Sequence, residues 1–269
     1  MAITTLLGII IGVGALLGAM VLMDVSFAVL GNGPAITLIL AGTVAAVMNA
    51  FPISELSKTP RLFGVLFRDD NDSDKVETTK LFIKYAQIVR TDGILAMGKE
   101  LDEIKNPFIK RGMTLLVSGV KSSEIQTVLT DDISAMEKRH AGFAGVFSEA
   151  GFYAPKLGIL GAVLGLIAAM ASLNDQAALT ESIAAALVAV IYGLFTGYVL
   201  WHPFGNKLKR KSREEVLHNQ VVVAGVLALA NGDPPYLVQD KLLSYLSQSE
   251  KEKFMVKENE AEKQTLPPI

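Results

Sequence analysis

The sequence predicts an all-α integral membrane protein with four transmembrane helices and a helical cytoplasmic domain inserted between spans 2 and 3. Of its 269 residues 51% are hydrophobic, and many of these gather in long blocks without Asp, Glu, Lys or Arg. A membrane helix needs about 20 mostly apolar residues. The blocks cover residues 2–23, 25–54 (with 34–51 as the spanning part), 157–173 and 183–201. A chain of this length could not cover four such blocks as buried helices of a soluble protein.

The basic residues orient these spans. Of the 25 Lys and Arg residues, fourteen lie in 52–152, ten in 207–263, and the last is Lys156. The connections 24–33 and 174–182 contain none. Because short cytoplasmic loops carry the excess of Lys and Arg, both connections are predicted outside and both termini in the cytoplasm.

Composition and periodicity divide the chain into five segments. Leu81, Phe82, Tyr85, Ile88 and Val89 follow helical spacing and predict an amphipathic helix that pauses near Gly93. Further helical pieces are predicted at 108–120 and 122–141. The segments are transmembrane helices 1 and 2 (1–54), a cytoplasmic helical domain (55–152), transmembrane helices 3 and 4 (153–206), cytoplasmic C-terminal helices (207–249) and a charged tail predicted to be disordered (250–269).

The third span begins with Pro155, a residue that suits the first turn of a helix. Gly161 and Gly165 follow at a spacing that lets helix backbones approach closely in lipid. This small-residue pattern is common in membrane proteins, and plain helix packing is its commonest explanation.

No motif for catalysis, cofactor binding or metal binding is present. His140, His202 and His218 lack ligand spacing, and the formal net charge of −2 gives no field to attract nucleic acid. The predicted span interiors contain no ionisable residue, whereas ion-driven transporters usually hold one in the bilayer. Either the protein moves no ion, or another chain supplies the carboxylate.

The chain resembles the MotA/PomA family, the larger subunit of the bacterial flagellar stator. Residues 154–167 (APKLGILGAVLGLI) are similar to the most recognisable stretch of the family. Gly193, Gly197, Tyr198 and Pro203 match the fourth-span pattern that ends in WHPFGNKLKRKS, and 90–96 (RTDGILA) resembles a cytoplasmic segment of the family. The similarity covers nearly the whole chain.

This resemblance implies a stator subunit that couples proton flow to torque on the rotor. It implies a homopentamer in the inner membrane around two copies of a MotB-type, single-span, peptidoglycan-binding partner whose aspartate supplies the missing carboxylate. The cytoplasmic part would push on the rotor protein FliG. Membrane lipid is the remaining expected contact, and no nucleic acid, cofactor or metal is implied.

The resemblance also implies a rotor contact through Arg90 and an acidic residue eight positions later. That position is Gly98 here. If the helix continued, Asp102 would lie on the same face, with Glu100 and Glu103 as neighbours. The alternative is that all four are ordinary solvated charges.

The resemblance further implies an ion path and a surface facing the partner helix. Sodium-driven relatives carry threonines at the positions of Ala162 and Val190, which offer no side-chain oxygen here. The resemblance therefore implies a proton as the coupling ion. The expected path-lining and partner-facing residues are Pro155, Gly158, Gly161, Ala162, Gly165, Val190, Gly193, Tyr198 and Pro203.

Three other functions fit parts of the sequence. An ExbB/TolQ-type proton-channel subunit that energises an envelope process would have three spans rather than four. A secondary transporter would show broken helices with central polar residues and an inverted repeat. A passive membrane scaffold would need neither an aspartate-bearing partner nor a rotor contact.

Overall fold

The computed structural model describes residues 2–68 and 74–265, and side chains within 3–68 and 74–256. No strand occurs among them. Short 3-10 helices lie at Phe27–Leu30 and Ile94–Gly98, and a π-helical turn lies at Thr196–Trp201. The α-helices are α1 (Ala2–Leu22), α2 (Gly33–Ala50), α3 (Ile53–Leu56), α4 (Thr59–Leu66), α5 (Lys75–Asp92), α6 (Pro107–Val117), α7 (Ser122–Ala171), α8 (Gln176–Phe195), α9 (His202–Ala230), α10 (Pro235–Leu243) and α11 (Gln248–Thr265).

The chain forms two compact units. The first unit comprises Met1–Asp69 and Arg139–Lys211, and the second comprises Asp70–Lys138 and Ser212–Ile269. Helices α7 and α9 each have residues in both units.

Four helical segments of the described chain are long and apolar enough to cross a membrane, as the sequence predicts. They lie in α1, in α2, in α7 and in the continuous stretch from α8 to α9. The side chains of Asn32 and Asp175 cap the starts of α2 and α8 by accepting hydrogen bonds from backbone N–H groups, which satisfies donors that a helix start leaves unpaired.

An aromatic cluster organises the first unit. Phe63 packs edge-to-face against Phe147, Trp201 and Phe204, with ring centroids 5.3–6.4 Å apart. These rings come from α4, α7, the π-helical turn and α9, so the cluster joins four elements that are distant in sequence.

The second unit has a hydrophobic core built from α5, α6, α7, α9 and α10. Phe82, Met113, Leu129, Val226 and Leu242 are all fully buried in it. Phe82 and Tyr85 belong to the periodic pattern of the sequence, and the predicted amphipathic helix is confirmed as α5. In this core α5 packs closely on α9. A methyl group added at Gly225 of α9 would lie only 2.5 Å from the Phe82 ring of α5.

Helix α7 differs from the prediction. Its 50 residues join the separately predicted piece 122–141 to the third span, and Pro155 lies inside it rather than in a first turn. The prediction that Pro155 begins a helix is therefore wrong. The ring has room because it faces Gly197, where a methyl group would lie 2.7 Å from Pro155 Cγ.

The C-terminal segment also differs from the prediction. Disorder was expected over 250–269, but α11 runs to Thr265, and residues 266–269 lie outside the described part of the chain. Phe254 is buried in a cluster with Val76 and Leu246. Glu250 pairs with Lys75 at 2.9 Å. In the described part of α11, buried Phe254 and the ion pair of Glu250 with Lys75 therefore hold a strongly charged segment against α5.

Candidate functional sites

The glycines of the third span contact α8 of the same chain. A methyl group at Gly158 would lie 2.9 Å from the carbonyl oxygen of Ala189, and one at Gly161 would lie 2.7 Å from Ala189 Cβ. At Gly165 the corresponding distance to Ala186 Cβ is 2.6 Å. These values leave no space for a side chain. We call this set of close approaches the α7–α8 contact.

Gly193 completes the α7–α8 contact from the other helix. A methyl group there would lie 2.7 Å from the carbonyl oxygen of Ala154 and 2.9 Å from Gly158 Cα. At these positions Gly158, Gly161, Gly165 and Gly193 pack between helices of the same chain, and their expected place on an ion path beside a partner helix stays a prediction. Helix packing, the commonest explanation of small-residue patterns, accounts for them.

The other side of α7 is exposed and apolar. Ala162, which is partly buried, lies beside this surface, and Val190 is partly buried on α8. Neither residue has a side-chain oxygen that could bind a cation. The exposed side chains are Ile159, Leu160, Val163, Leu164, Leu166, Ile167 and Met170. In the described chain, this is the surface of α7 left available to lipid, to a partner helix or to another copy.

A second cluster surrounds Pro155. Proline has no N–H, so the carbonyl of Gly151, four residues earlier, loses its usual helical donor. A methyl group at Gly197 would lie 3.0 Å from that carbonyl oxygen. The N–H of His202 donates to the Gly197 carbonyl across the π-helical turn. Both long helices thus have an altered hydrogen-bond pattern where they face each other.

Tyr198 and His202 lie next to this cluster. The Tyr198 side chain is 60% exposed, and its ring stacks on His202 at a centroid distance of 5.6 Å. The His202 ring packs against Gly151, and Pro203 is exposed. Sequence reasoning missed Gly151 and His202. Gly151 could have been found from its position four residues before Pro155, because a proline leaves the carbonyl at that position without its helical donor.

The rotor-contact residues predicted from the family lie in the second unit. Arg90 is exposed in the last turn of α5, which ends at Asp92 because Gly93 adopts a φ of 82°. Residues 94–98 form a 3-10 helix, and residues 99–103 form turns. The continuous helix that singled out Asp102 is absent, so the geometric reason for choosing Asp102 is wrong.

The three acidic residues nevertheless lie on one turn segment, in which Asp102 and Glu103 are exposed and Glu100 is partly buried. Asp102 has a side chain that is 98% exposed and pairs with Lys110 at 3.6 Å, while Glu100 pairs with Lys84 at 3.8 Å. Burial raises the pKa of Tyr85 to about 12, and the nearby carboxylates of Glu100 and Glu103 add to this shift. Glu100 and Glu103 therefore place negative charge near the phenol of Tyr85.

The described residues contain no group of three or more His, Cys, Asp or Glu that could hold a metal ion. His218 is buried, and its Nε2 lies 2.8 Å from the Thr78 hydroxyl oxygen. Burial is the main cause that lowers the pKa of His218 below its ordinary value. This histidine is part of the core of the second unit.

Comparison with known proteins identifies the class of protein. A sequence profile of the MotA/TolQ/ExbB proton channel family matches residues 100–220. Motility protein A of Bacillus subtilis (strain 168) is 44% identical over 251 residues, which are 93% of each chain. The chain therefore belongs to the MotA/TolQ/ExbB proton channel family and is a homologue of its flagellar stator subunits.

Solved structures agree with this assignment over the whole fold. The flagellar MotAB stator complex from Bacillus subtilis contains a chain with a TM-score of 0.87 at 44% identity, covering 93% of this chain and 98% of that one. A chain of C. jejuni MotAB gives a TM-score of 0.85 at 25% identity, covering 92% and 97%. The resemblance stated from the sequence is confirmed.

Proposed function

We propose that this chain is the channel-forming stator subunit of a flagellar motor, in which proton flow drives torque on the rotor. The observation that carries the proposal is the structural match, over 93% of this chain and at 44% identity, to a chain of a flagellar stator complex. The family also includes TolQ and ExbB proteins. Four candidate spans, rather than the three expected of that type, favour the stator function.

The subunit works with a MotB-type partner that contributes one transmembrane helix and a carboxylate. The absence of Asp, Glu, Lys and Arg from all four apolar blocks supports this, because a proton path needs a group that binds and releases the proton. Five copies of the chain would surround two copies of the partner, and the cytoplasmic part would act on FliG.

The proposed location is the inner membrane at the flagellar motor, with both termini and the second unit in the cytoplasm. The lack of Lys and Arg in the connections 24–33 and 174–182 supports this orientation. Asn32 and Asp175, which cap α2 and α8, would then lie at the outer surface.

The proton path is proposed to run beside Pro155, Ala162, Val190, Tyr198 and Pro203. Ala162 and Val190 present only hydrocarbon, which suits a proton carried by a partner carboxylate and water but not a sodium ion that needs several oxygen ligands. Arg90, with Asp102, Glu100 and Glu103, is proposed as the charged part of the rotor contact. The exposure of Arg90, Asp102 and Glu103 supports this role.

The test is expression with the cognate partner in a host that lacks its own stator. Swimming should be restored, and the tagged chain should co-purify with a single-span protein that carries an intramembrane aspartate. The matched control is the same partner with that aspartate changed to asparagine, which should co-purify without restoring motility. If the wild-type pair assembles but the flagellum does not turn, the proposal is wrong.

A further inference from the structure

The second unit presents two unusually exposed apolar side chains. Leu95 is 79% exposed and Tyr236 is 72% exposed, more than any other large apolar side chain described in this unit. The remaining ones are Leu217, Tyr245, Met255 and Val256. Soluble surfaces tolerate isolated apolar residues, so exposure alone decides nothing. What matters is where these two side chains lie and what surrounds them.

Leu95 is held in place rather than carried on a loose loop. It belongs to the 3-10 helix Ile94–Gly98, in which Met97 is fully buried in the core. The 3-10 helix packs on α5 and α6. Burial of Met97 therefore fixes the backbone that directs Leu95 to the surface, five residues after Arg90.

The contacts of α10 indicate on which side of the second unit Tyr236 lies. The start of α5 shares a buried cluster with the residues that follow α10, since Val76 packs with Leu246 and Phe254. Because α10 packs along α5, the start of α10 points toward the C-terminal end of α5. An ion pair between Lys241 and Asp233 at 2.5 Å fixes the turn before α10. Tyr236, in the first turn of α10, is therefore on the side of the unit toward which α5 runs to Arg90.

Exposed charges of both signs flank Leu95 in the sequence. Arg90, Asp92, Lys99, Asp102 and Glu103 are all exposed. Apolar anchors within a polar rim are typical of protein–protein contacts. An anionic lipid surface would be repelled by the three carboxylates, so the arrangement favours a protein that carries an apolar residue between charges of both signs.

We propose that Leu95 and Tyr236 are the apolar anchors of the rotor-contact surface, with Arg90 and the acidic residues as its rim. The inference rests on the proposed stator function and adds residues that charge-based reasoning does not find. Exposed ion pairs are weak and are screened over about 8 Å at physiological ionic strength. Two apolar side chains add a contact that salt does not screen. This contact is still small enough for the stator to dissociate from the rotor protein as the rotor turns.

The experiment measures binding of the full-length stator complex, in nanodiscs, to purified rotor protein. Variants Leu95→Ser and Tyr236→Ser are compared with Arg90→Glu, and Val256→Ser serves as the matched control because it removes an exposed apolar side chain elsewhere in the unit. Affinity is measured at about 0.1 M and about 1 M salt, where the screening length falls from about 10 Å to about 3 Å. The mass of the complex is measured for every variant.

The expected result separates the two kinds of contact. Leu95→Ser and Tyr236→Ser should each weaken binding about tenfold at both salt concentrations, the loss that follows from one buried apolar side chain. Arg90→Glu should weaken binding mainly at low salt. The inference is overturned if both serine variants bind like Val256→Ser, or if they reduce the mass of the complex, which would place this surface between copies of the chain. Failure of the wild-type complex to bind the rotor protein would instead refute the proposed function.

Discussion

The α7–α8 contact makes a quantitative prediction for Gly161→Ala. The new methyl group would lie 2.7 Å from Ala189 Cβ and 3.1 Å from Leu38 Cδ2. Carbon atoms in favourable contact are about 3.5–4.0 Å apart, so α7 and α8 must separate locally by about 1 Å. Overpacking of this kind costs about 1–3 kcal/mol. This exceeds the gain of at most about 1 kcal/mol from replacing glycine by alanine in a helix.

A second change should identify the contact as the cause. Ala189→Gly removes the atom nearest to the new methyl group, and the end of the Leu38 side chain can rotate away, so the double variant should recover most of the lost stability. The equivalent pair at Gly165 should not recover. There a methyl group would also lie 2.8 Å from Ala186 Cα and 2.9 Å from Ala186 N, and these backbone atoms remain in Ala186→Gly.

The assay is thermal unfolding of the purified complex in detergent, followed by size-exclusion chromatography after heating. Gly8→Ala and Gly64→Ala are matched controls, because a methyl group at either position meets nothing within 4 Å. A coupling energy of about 0.5–3 kcal/mol between positions 161 and 189 is expected from the double-mutant cycle. The reasoning is refuted if Gly161→Ala unfolds at the temperature of the controls, or if Ala186→Gly fully rescues Gly165→Ala.

Three further predictions concern orientation, pH and the coupling ion. Cysteines introduced at Asn32 and Gln176 should react with an impermeant thiol reagent applied outside the cell, and one at Ser122 should not; the reverse labelling would overturn the topology. Burial lowers the pKa of His218, so below the ordinary imidazole pKa of about 6.5 the unfolded chain binds more protons than the folded chain. Acid should therefore destabilise the protein between about pH 6.5 and the lowered pKa, and His218→Gln should reduce that pH dependence in urea unfolding. Motility should persist without sodium and stop with a protonophore, whereas swimming that follows external sodium at a constant proton gradient would exclude a proton motor.

The elements of the fold could be predicted from the sequence where one local pattern decides them. The uncharged block at 34–51 became α2, because in such a block length and composition are sufficient. The helical spacing of apolar residues that include Phe82 and Tyr85 predicted α5, because such spacing places them on one face of a helix that must be buried in a core. Helix α11 could not be predicted, because its contacts join Phe254 and Glu250 to the distant Val76 and Lys75.

The candidate sites were less predictable because they depend on which helices meet. Gly161 and Gly165 indicate a close approach of two helices, but the pattern is the same whether the second helix belongs to this chain or to a partner. Only the three-dimensional arrangement shows that Ala186 and Ala189 are opposite them. Similarly, the spacing from Arg90 to Asp102 has meaning only along an unbroken helix. The positive φ of Gly93 breaks that helix.

The α7–α8 contact also bears on how this pair of helices could change shape. From Gly158 to Gly165 the glycines of α7 pack against Ala186 and Ala189 of α8, in a stretch with neither a proline nor a π-helical turn, and tightly packed helices resist bending. On the other side of Gly158, Pro155 deprives the Gly151 carbonyl of its helical donor, and the π-helical turn shifts the hydrogen bonds of the facing helix by one residue. Gly197 places these two interruptions against each other, because no larger residue fits beside the Pro155 ring. Sharp bends in helices occur at prolines and π-bulges. Any bending that accompanies proton passage should therefore concentrate at Pro155 and Gly197, while the glycine-packed part moves as one body.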